Sequence, residues 1–436
     1  MIFINKIRSF SVYLLILAFL ISLAACRDSD DDKTSMPARY GDRGRTLAVS
    51  FAQSFPERYA GSEQEKSAGD WIINELKNLD YQPQVQEFTF VDSSGKQLTS
   101  RNISLEIAGT GFEYTGSESD VKATLDHVNS RFVLIGTHYD TPVKDKQATD
   151  TVSAVGDGIH NNAAGVASLL TIAKEIQKDR PAYNVRLVFF GAGTQDFAGA
   201  KALLEQMSES DLELFEAMYN VDKIYAGDKV YAHAGQNSVL EGQKKSYEKR
   251  KKLYEMTDVY YNYMLLTNNE FSLYTNQNIF TVEVEGFAEP ILFREWTTHL
   301  GDHTPFDQVG IPIVFLESFE YDVESYAELG KESTDPTFNI VDGIIDRSNL
   351  DSSAFLNDYY QIAEEEKQEN IFGDSQTAET EHEHNDRDNP DQIDVRSLEE
   401  LRDNRHIDRL ERRINNVAFL IIKSAQRGDN DFVPRR

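Results

Sequence analysis

A doubly wound α/β fold, with a mixed, mainly parallel sheet and helices on both faces, is what the sequence predicts. Short apolar runs read as strands buried on both faces, and segments with helical spacing alternate with them. Residues 45–55 and 63–79 carry apolar residues at helical spacing, and residues 82–90 alternate as a strand does. Residues 131–137 (RFVLIGT) form the first buried strand and 163–177 the helix after it. Residues 185–191 (VRLVFFG) are the second such strand, followed by a helix at 197–207 and strands at 214–221 and 311–316.

Two regions interrupt that alternation. Residues 223–299, rich in Tyr and Asn, read as a partly helical insertion over one end of the sheet. Residues 325–391 form a second insertion, ending in an acidic low-complexity run at 364–391 that is expected to be mobile. An amphipathic helix over 395–425 then offers Leu398, Leu401, Leu410, Ile414, Val417 and Ile421 to the sheet. Residues 42–426 are read as one domain with these insertions, and 427–436 as a tail.

The net charge of -29 excludes a nucleic-acid partner, because holding a polyanion takes a basic surface that releases counterions. The one locally basic run, 244–252, reads as a solvated helix face. Cys26 is the single cysteine, so no intrachain disulfide can form. Its position is informative. Lys6 and Arg8 make a basic start, an apolar run spans 10–25, and small residues precede Cys26, the layout of a secretory signal too short for a membrane span.

Leu23-Ala24-Ala25-Cys26 resembles the lipobox of bacterial lipoproteins. That resemblance implies removal of residues 1–25 and acylation of Cys26. With Arg27 in place of aspartate, it implies the outer membrane of a Gram-negative envelope, facing the periplasm. Residues 26–41, polar and Asp-rich, read as a flexible tether.

In α/β sheets ligands bind beyond the carboxyl ends of the strands. Five places qualify here: His138 with Asp140, the loop GDGIHNNAAG (156–165), the loop GAGTQDFAG (191–199), Asn220-Val221-Asp222, and GDHTPFDQVGIP (301–312). Imidazole and carboxylate groups at such ends could converge on a metal. For each histidine alone, a hydrogen-bonded loop position is the other reading.

The order GTHYDTP, NNAAG, FFGAG, NVD and GDHTPF with VGIP, preceded by RYAGSEQEKSAGDWIINELKNLDYQ, resembles the zinc aminopeptidases of clan MH, which also include glutaminyl cyclases and glutamate carboxypeptidases. The resemblance implies their fold and a carboxylate-rich site for two zinc ions that share an activated water. By motif, His138 and Asp222 match ligands of one zinc, His303 a ligand of the other, and Asp140 the carboxylate that orients His138.

Three matched positions are substituted. Asn161 stands at the metal-bridging aspartate, Gly193 at the general base and Thr194 at a zinc ligand. An amide lacks the charge that holds two dications together, and threonine is a poor zinc ligand. Glycine has nothing to accept a proton, and a positioned base is worth roughly a hundred- to ten-thousandfold in rate.

Asp196 is the candidate surrogate base and His160 the candidate replacement ligand, while His382 and His384 read as solvated. The resemblance therefore implies impaired or absent catalysis, fewer than two zinc ions or weakly held ones, and a cleft that binds a peptide or an envelope protein. The alternative is an active zinc-dependent aminopeptidase or glutaminyl cyclase using one metal held by His138, Asp222 and either His160 or Asn161.

Overall fold

The computed structural model describes residue 40 and residues 43–117, 121–143, 156–236, 238, 243–267, 271–275, 279–284, 286–294, 299–321, 326–362, 408–428 and 431–435. Cys26 with its signal, the tether apart from residue 40, the acidic run with His382 and His384, and positions 395–407 of the expected last helix lie outside the described residues.

Two helices open the chain, α1 (Gly44–Ser54) and α2 (Glu63–Asn78). Ser62 caps α2 by accepting from the Glu65 amide, Glu63 and Glu65 favour its positive end, and Ala68, Ile72 and Leu76 face the core. Strands β1 (Gln84–Val91) and β2 (Gln97–Ile107) follow as an antiparallel pair. Next come β3 (Phe112–Tyr114), α3 (Lys122–Ser130) and β4 (Phe132–His138), in which every residue is buried.

A tight turn at Ile159–Ala163 leads into α4 (Ala164–Glu175). Then follow β5 (Asn184–Phe190), α5 (Ala198–Gln206), α6 (Glu209–Leu214) and β6 (Phe215–Val221). The next elements are β7 (Lys229–His233), α7 (Gln243–Thr267), β8 (Leu273–Thr275), β9 (Ile279–Val282) and β10 (Ile291–Arg294). After them lie α8 (Thr304–Gln308), β11 (Ile313–Phe319), α9 (Arg409–Ser424) and β12 (Phe432–Pro434).

Eight strands form one sheet in the order β1-β2-β5-β4-β6-β11-β7-β8. The pairs β5/β4, β4/β6, β6/β11 and β7/β8 are parallel, and the remaining neighbours are antiparallel. On one face α4 packs against α1 and α9, with Leu410, Ile414, Val417 and Ile421 fully buried. The other face carries Phe132, Leu134, Val188, Phe190, Phe215 and Phe306. The fold is thus the mixed, mainly parallel α/β sheet that the alternation of runs predicts.

Three sequence expectations need correction. Residues 223–299 are not simply an insertion, because β7 and β8 from this stretch extend the main sheet beyond β11. Residues 326–362 belong to the body as well, with Phe338, Ile345, Leu350 and Leu356 buried in the main core. The basic run is not uniformly solvated either: Lys252 is buried, with its ammonium 3.1 Å from Glu216 Oε1 and 2.8 Å from Glu255 Oε2. Periodicity missed these features because short edge strands and irregular buried loops carry no extended apolar pattern.

Candidate active site

The candidate residues lie in the loops at the carboxyl ends of β4, β5 and β6 and in the loops at 156–163 and 301–303. Arg58, fully buried, ties two of them together by donating to the carbonyl oxygens of Tyr139 (2.8 Å), Asp157 (2.8 Å) and Gly158 (2.7 Å). Burial pushes its pKa down to about 10, against the pull of Asp351, Asp157 and Asp140. It remains a cation at neutral pH and fixes the two loops that carry Asp140 and Asn161.

His138, the last residue of β4, stands between two carboxylates. Its Nδ1 is 3.3 Å from Asp140 Oδ1 and its Nε2 is 3.3 Å from Asp222 Oδ1. Burial disfavours the imidazolium, but Asp222 and then Asp140 outweigh it and hold the His138 pKa well above its ordinary range. The structure therefore brings His138, Asp140 and Asp222 together.

The turn after β5 is also bound to Asp140. Gly193 N–H donates to Asp140 Oδ1 (2.8 Å), while Thr194 donates to Oδ2 through its N–H (3.1 Å) and its hydroxyl (2.6 Å). Thr194 therefore gives its hydroxyl proton to Asp140. Glu65 braces the turn from behind by accepting from Ala192 N–H (2.8 Å). These bonds hold a strained backbone, with Ala192, Asp196 and Phe197 all at positive φ.

Gly193 faces directly onto His138. A Cβ added there would lie 2.3 Å from His138 Cβ, 2.8 Å from its Cγ and 3.0 Å from Asp302 Oδ1. No side chain fits at the general-base position unless His138 moves.

Asn161 is likewise engaged elsewhere. Its amide nitrogen donates to Asp346 Oδ1 (2.7 Å), and its Oδ1 is buried with no hydrogen-bond partner among the described residues. His303 is buried, with its ring 4.3 Å from that of Phe315 and its Nδ1 3.5 Å from the Asn220 amide nitrogen. Burial pushes its pKa down to about 4.

Two sequence candidates turn away from the cleft. Asp196 is exposed and pairs with Lys201, so the surrogate-base expectation is corrected. His160 is fully buried but accepts from Ala226 N–H on Nδ1 (3.1 Å), with Nε2 3.4 Å from Glu332 Oε1. It is thus buried against Glu332 rather than exposed on a surface loop, and its Nε2 has no hydrogen-bond partner among the described residues.

Sequence reasoning missed several carboxylates. Asp302 precedes His303 and supplies the carboxylate oxygen nearest the Cβ position of Gly193. Burial pushes its pKa up to about 7, and Oδ1 has no hydrogen-bond partner among the described residues. Glu317, at the end of β11, lies 2.9 Å from His233 Nε2 and 2.8 Å from His299 Nδ1, and accepts from the Tyr321 hydroxyl at 2.7 Å. Burial opposes its ionisation, but His299 and His233 hold its pKa well below the carboxylate range. The adjacent GDH motif was a signal for Asp302. Glu317 had none, since it sits within an apolar run.

Glu332 yields the first prediction. It accepts from the amides of Ile345 (2.6 Å) and Asp346 (2.8 Å), and Lys223 Nζ lies 3.6 Å away. Burial raises its pKa, yet His160 first and then Lys223 bring it down to about 2. Because the folded pKa is depressed, its stabilisation is present above the unfolded carboxylate pKa and is lost as pH falls toward 2. Glu332→Gln is expected to cost about 3 kcal/mol at pH 7 and much less near pH 2.5, as read from urea unfolding at the two pH values. An equal loss at both would contradict this electrostatic account.

The asparagine, glycine and threonine at positions 161, 193 and 194 are weaker zinc donors than carboxylates. Thr194 gives its hydroxyl proton to Asp140 and the Asn161 side-chain nitrogen donates to Asp346, while Asn161 Oδ1 stays without a partner; among the described residues no group of three or more His, Cys, Asp or Glu side chains is disposed to hold a metal. His138 and Asp222 alone fall short of the three protein ligands that a stable zinc site takes.

The model of peptidase family M28 matches residues 120–406, well over half of the chain. The chain belongs to peptidase family M28. The alkaline phosphatase isozyme conversion protein of Escherichia coli (strain K12) is 26% identical over 198 residues, covering 45% of this chain and 54% of that protein. The chain thus spans about half the length of this curated relative.

Among solved structures, Bacteroides thetaiotaomicron glutaminyl cyclase bound to N-acetylhistamine is similar with a TM-score of 0.50 and 12% identity, over 89% of this chain and 98% of that one. A leucine aminopeptidase precursor from Bacteroides thetaiotaomicron VPI-5482 gives a TM-score of 0.49 and 12% identity, over 89% and 97%. At this identity the likeness to the cyclase shows the shared fold. Within the M28 family fold, His138, Asp140 and Asp222 converge while positions 161, 193 and 194 carry no acidic or imidazole donor.

Proposed function

We propose that this M28-family protein is catalytically impaired and uses the cleft at the ends of β4 and β6 to bind a peptide or an envelope protein, while an acylated Cys26 holds it at the outer membrane. One observation carries this reading: a Cβ at Gly193 would lie 2.3 Å from His138 Cβ, so the space for a general base is filled by another site residue. The engagement of Thr194 with Asp140 and of Asn161 with Asp346 supports it further. Asp222 and Asp302 place carboxyl groups at the cleft, which can accept hydrogen bonds from the free ammonium end of a peptide.

The test is an assay of the chain from residue 26 against a panel of aminoacyl substrates with zinc or cobalt added. No turnover above background is expected. Metal-dependent turnover that is abolished by His138→Ala or Asp222→Ala would end the proposal.

A second reading, an active hydrolase with an atypical site, is favoured by Asp302. Its carboxyl has a pKa of about 7 and lies beside the general-base position, where it could exchange a proton near neutrality. On that reading Asp302→Asn removes a measurable activity. If the unmodified chain has none, the reading fails.

A further inference from the structure

Lys223 puts a positive charge beside the cleft. It follows Asp222 directly, beyond the carboxyl end of β6, and holds a left-handed backbone (φ 47°) that a residue with a side chain adopts at a cost. Hydrogen bonds fix that backbone on both sides. Its N–H donates to Asn162 Oδ1 (3.1 Å), and its carbonyl oxygen accepts from the Ser318 N–H (3.0 Å) and hydroxyl (2.6 Å). Lys223 is thereby bound to the residue after Asn161 and to β11.

The side chain is only 17% exposed, and its ammonium lies 3.6 Å from Glu332 Oε1 and 5.6 Å from the centre of the Phe319 ring. Glu332 in turn accepts from the Asp346 amide (2.8 Å), and Asp346 accepts from the Asn161 side chain (2.7 Å). Burial opposes the charge on Lys223, but Glu332, then Asp346, Asp222 and Glu317, outweigh it. One ammonium thus serves carboxylates from β6, from β11 and from the stretch 332–346. Among them are Asp222, a matched metal ligand, and Asp346, the partner of Asn161.

Carboxylates withdrawn from water need a counter-charge, which a bound ion or a side-chain cation can provide. A tethered ammonium also repels a further cation. We propose that Lys223 is the built-in counter-cation of this cleft: it neutralises Asp222, Glu332 and Asp346 as a divalent ion would, and so keeps the affinity for divalent ions low. This role rests on the impaired M28 cleft proposed above, and names the residue that takes over a metal's charge there.

The test titrates Mn²⁺, a cation suited to carboxylate ligands, into the chain from residue 26, into Lys223→Arg and into Lys223→Met, followed by calorimetry and by thermal unfolding. The acidic run 364–391 is common to all three and sets a shared background. Lys223→Met is expected to bind Mn²⁺ roughly tenfold or more tightly than the unmodified chain, because one repelling charge is gone. Its unfolding temperature should rise with Mn²⁺, while Lys223→Arg should behave as the unmodified chain does. Adding Asp222→Asn to Lys223→Met should remove the gain, which places the ion at the cleft.

If Lys223→Met does not fold without metal, Mn²⁺ is expected to restore it, and failure to do so overturns the proposal. Equal affinity in Lys223→Met and the unmodified chain overturns it too, as does a gain that survives Asp222→Asn. Those failures leave the impaired cleft standing. Tight Mn²⁺ binding by the unmodified chain, accompanied by peptidase turnover, overturns the impaired cleft and the role of Lys223 together.

Discussion

Gly193→Glu, which restores a carboxylate at the general-base position, is expected to cost about 3 kcal/mol or more and to yield no active peptidase. The new Cβ would meet His138 Cβ at 2.3 Å and Cγ at 2.8 Å, both well inside contact distance. Relief by a backbone shift is blocked, because the turn is bonded at Gly193 and Thr194 to Asp140 and at Ala192 to Glu65. Displacing the imidazole instead would break its contacts with Asp140 and Asp222. Urea unfolding reads the cost. A variant as stable as the original, with metal-dependent turnover, would show that the cleft still accepts the residue.

Asp140→Ala is expected to be at least as damaging, at about 3–5 kcal/mol, because removing one member of a buried charged network leaves the others unpaired. Asp140 is fully buried and takes bonds from Gly193, from both donors of Thr194 and from His138. Burial raises its pKa, but His138 and then Thr194 outweigh that and hold it below the carboxylate range. A double-mutant cycle with Thr194→Val, read by urea unfolding, should show coupling of about 1 kcal/mol or more between the two residues. Additive effects would mean that the hydroxyl contact carries no weight.

Much of the fold was legible because buried parallel strands write themselves as apolar runs. Residues 131–137 and 185–191 became β4 and β5 within a residue of their expected bounds. Strand β2, eleven residues long, was not legible, since it mixes polar and apolar residues and pairs with an exposed edge strand. Nor were the irregular residues 326–362, whose structure depends on buried hydrogen bonds such as those of Glu332 and Asp351.

Within the candidate site, motif spacing located His138, Asp140 and Asp222, which do meet. It could not tell that His160 would face Glu332, or that Asp196, three residues beyond Gly193, would point into solvent. Those outcomes depend on turn geometry, which sequence spacing along the chain does not encode.

Anomalous diffraction at the zinc absorption edge, from crystals of this chain grown with excess zinc, tests the central claim most directly. The account predicts no pair of ordered ions bridging His138, Asp222 and His303. Two fully occupied zinc ions there, with the Asp302 carboxylate over a water they share, would contradict it.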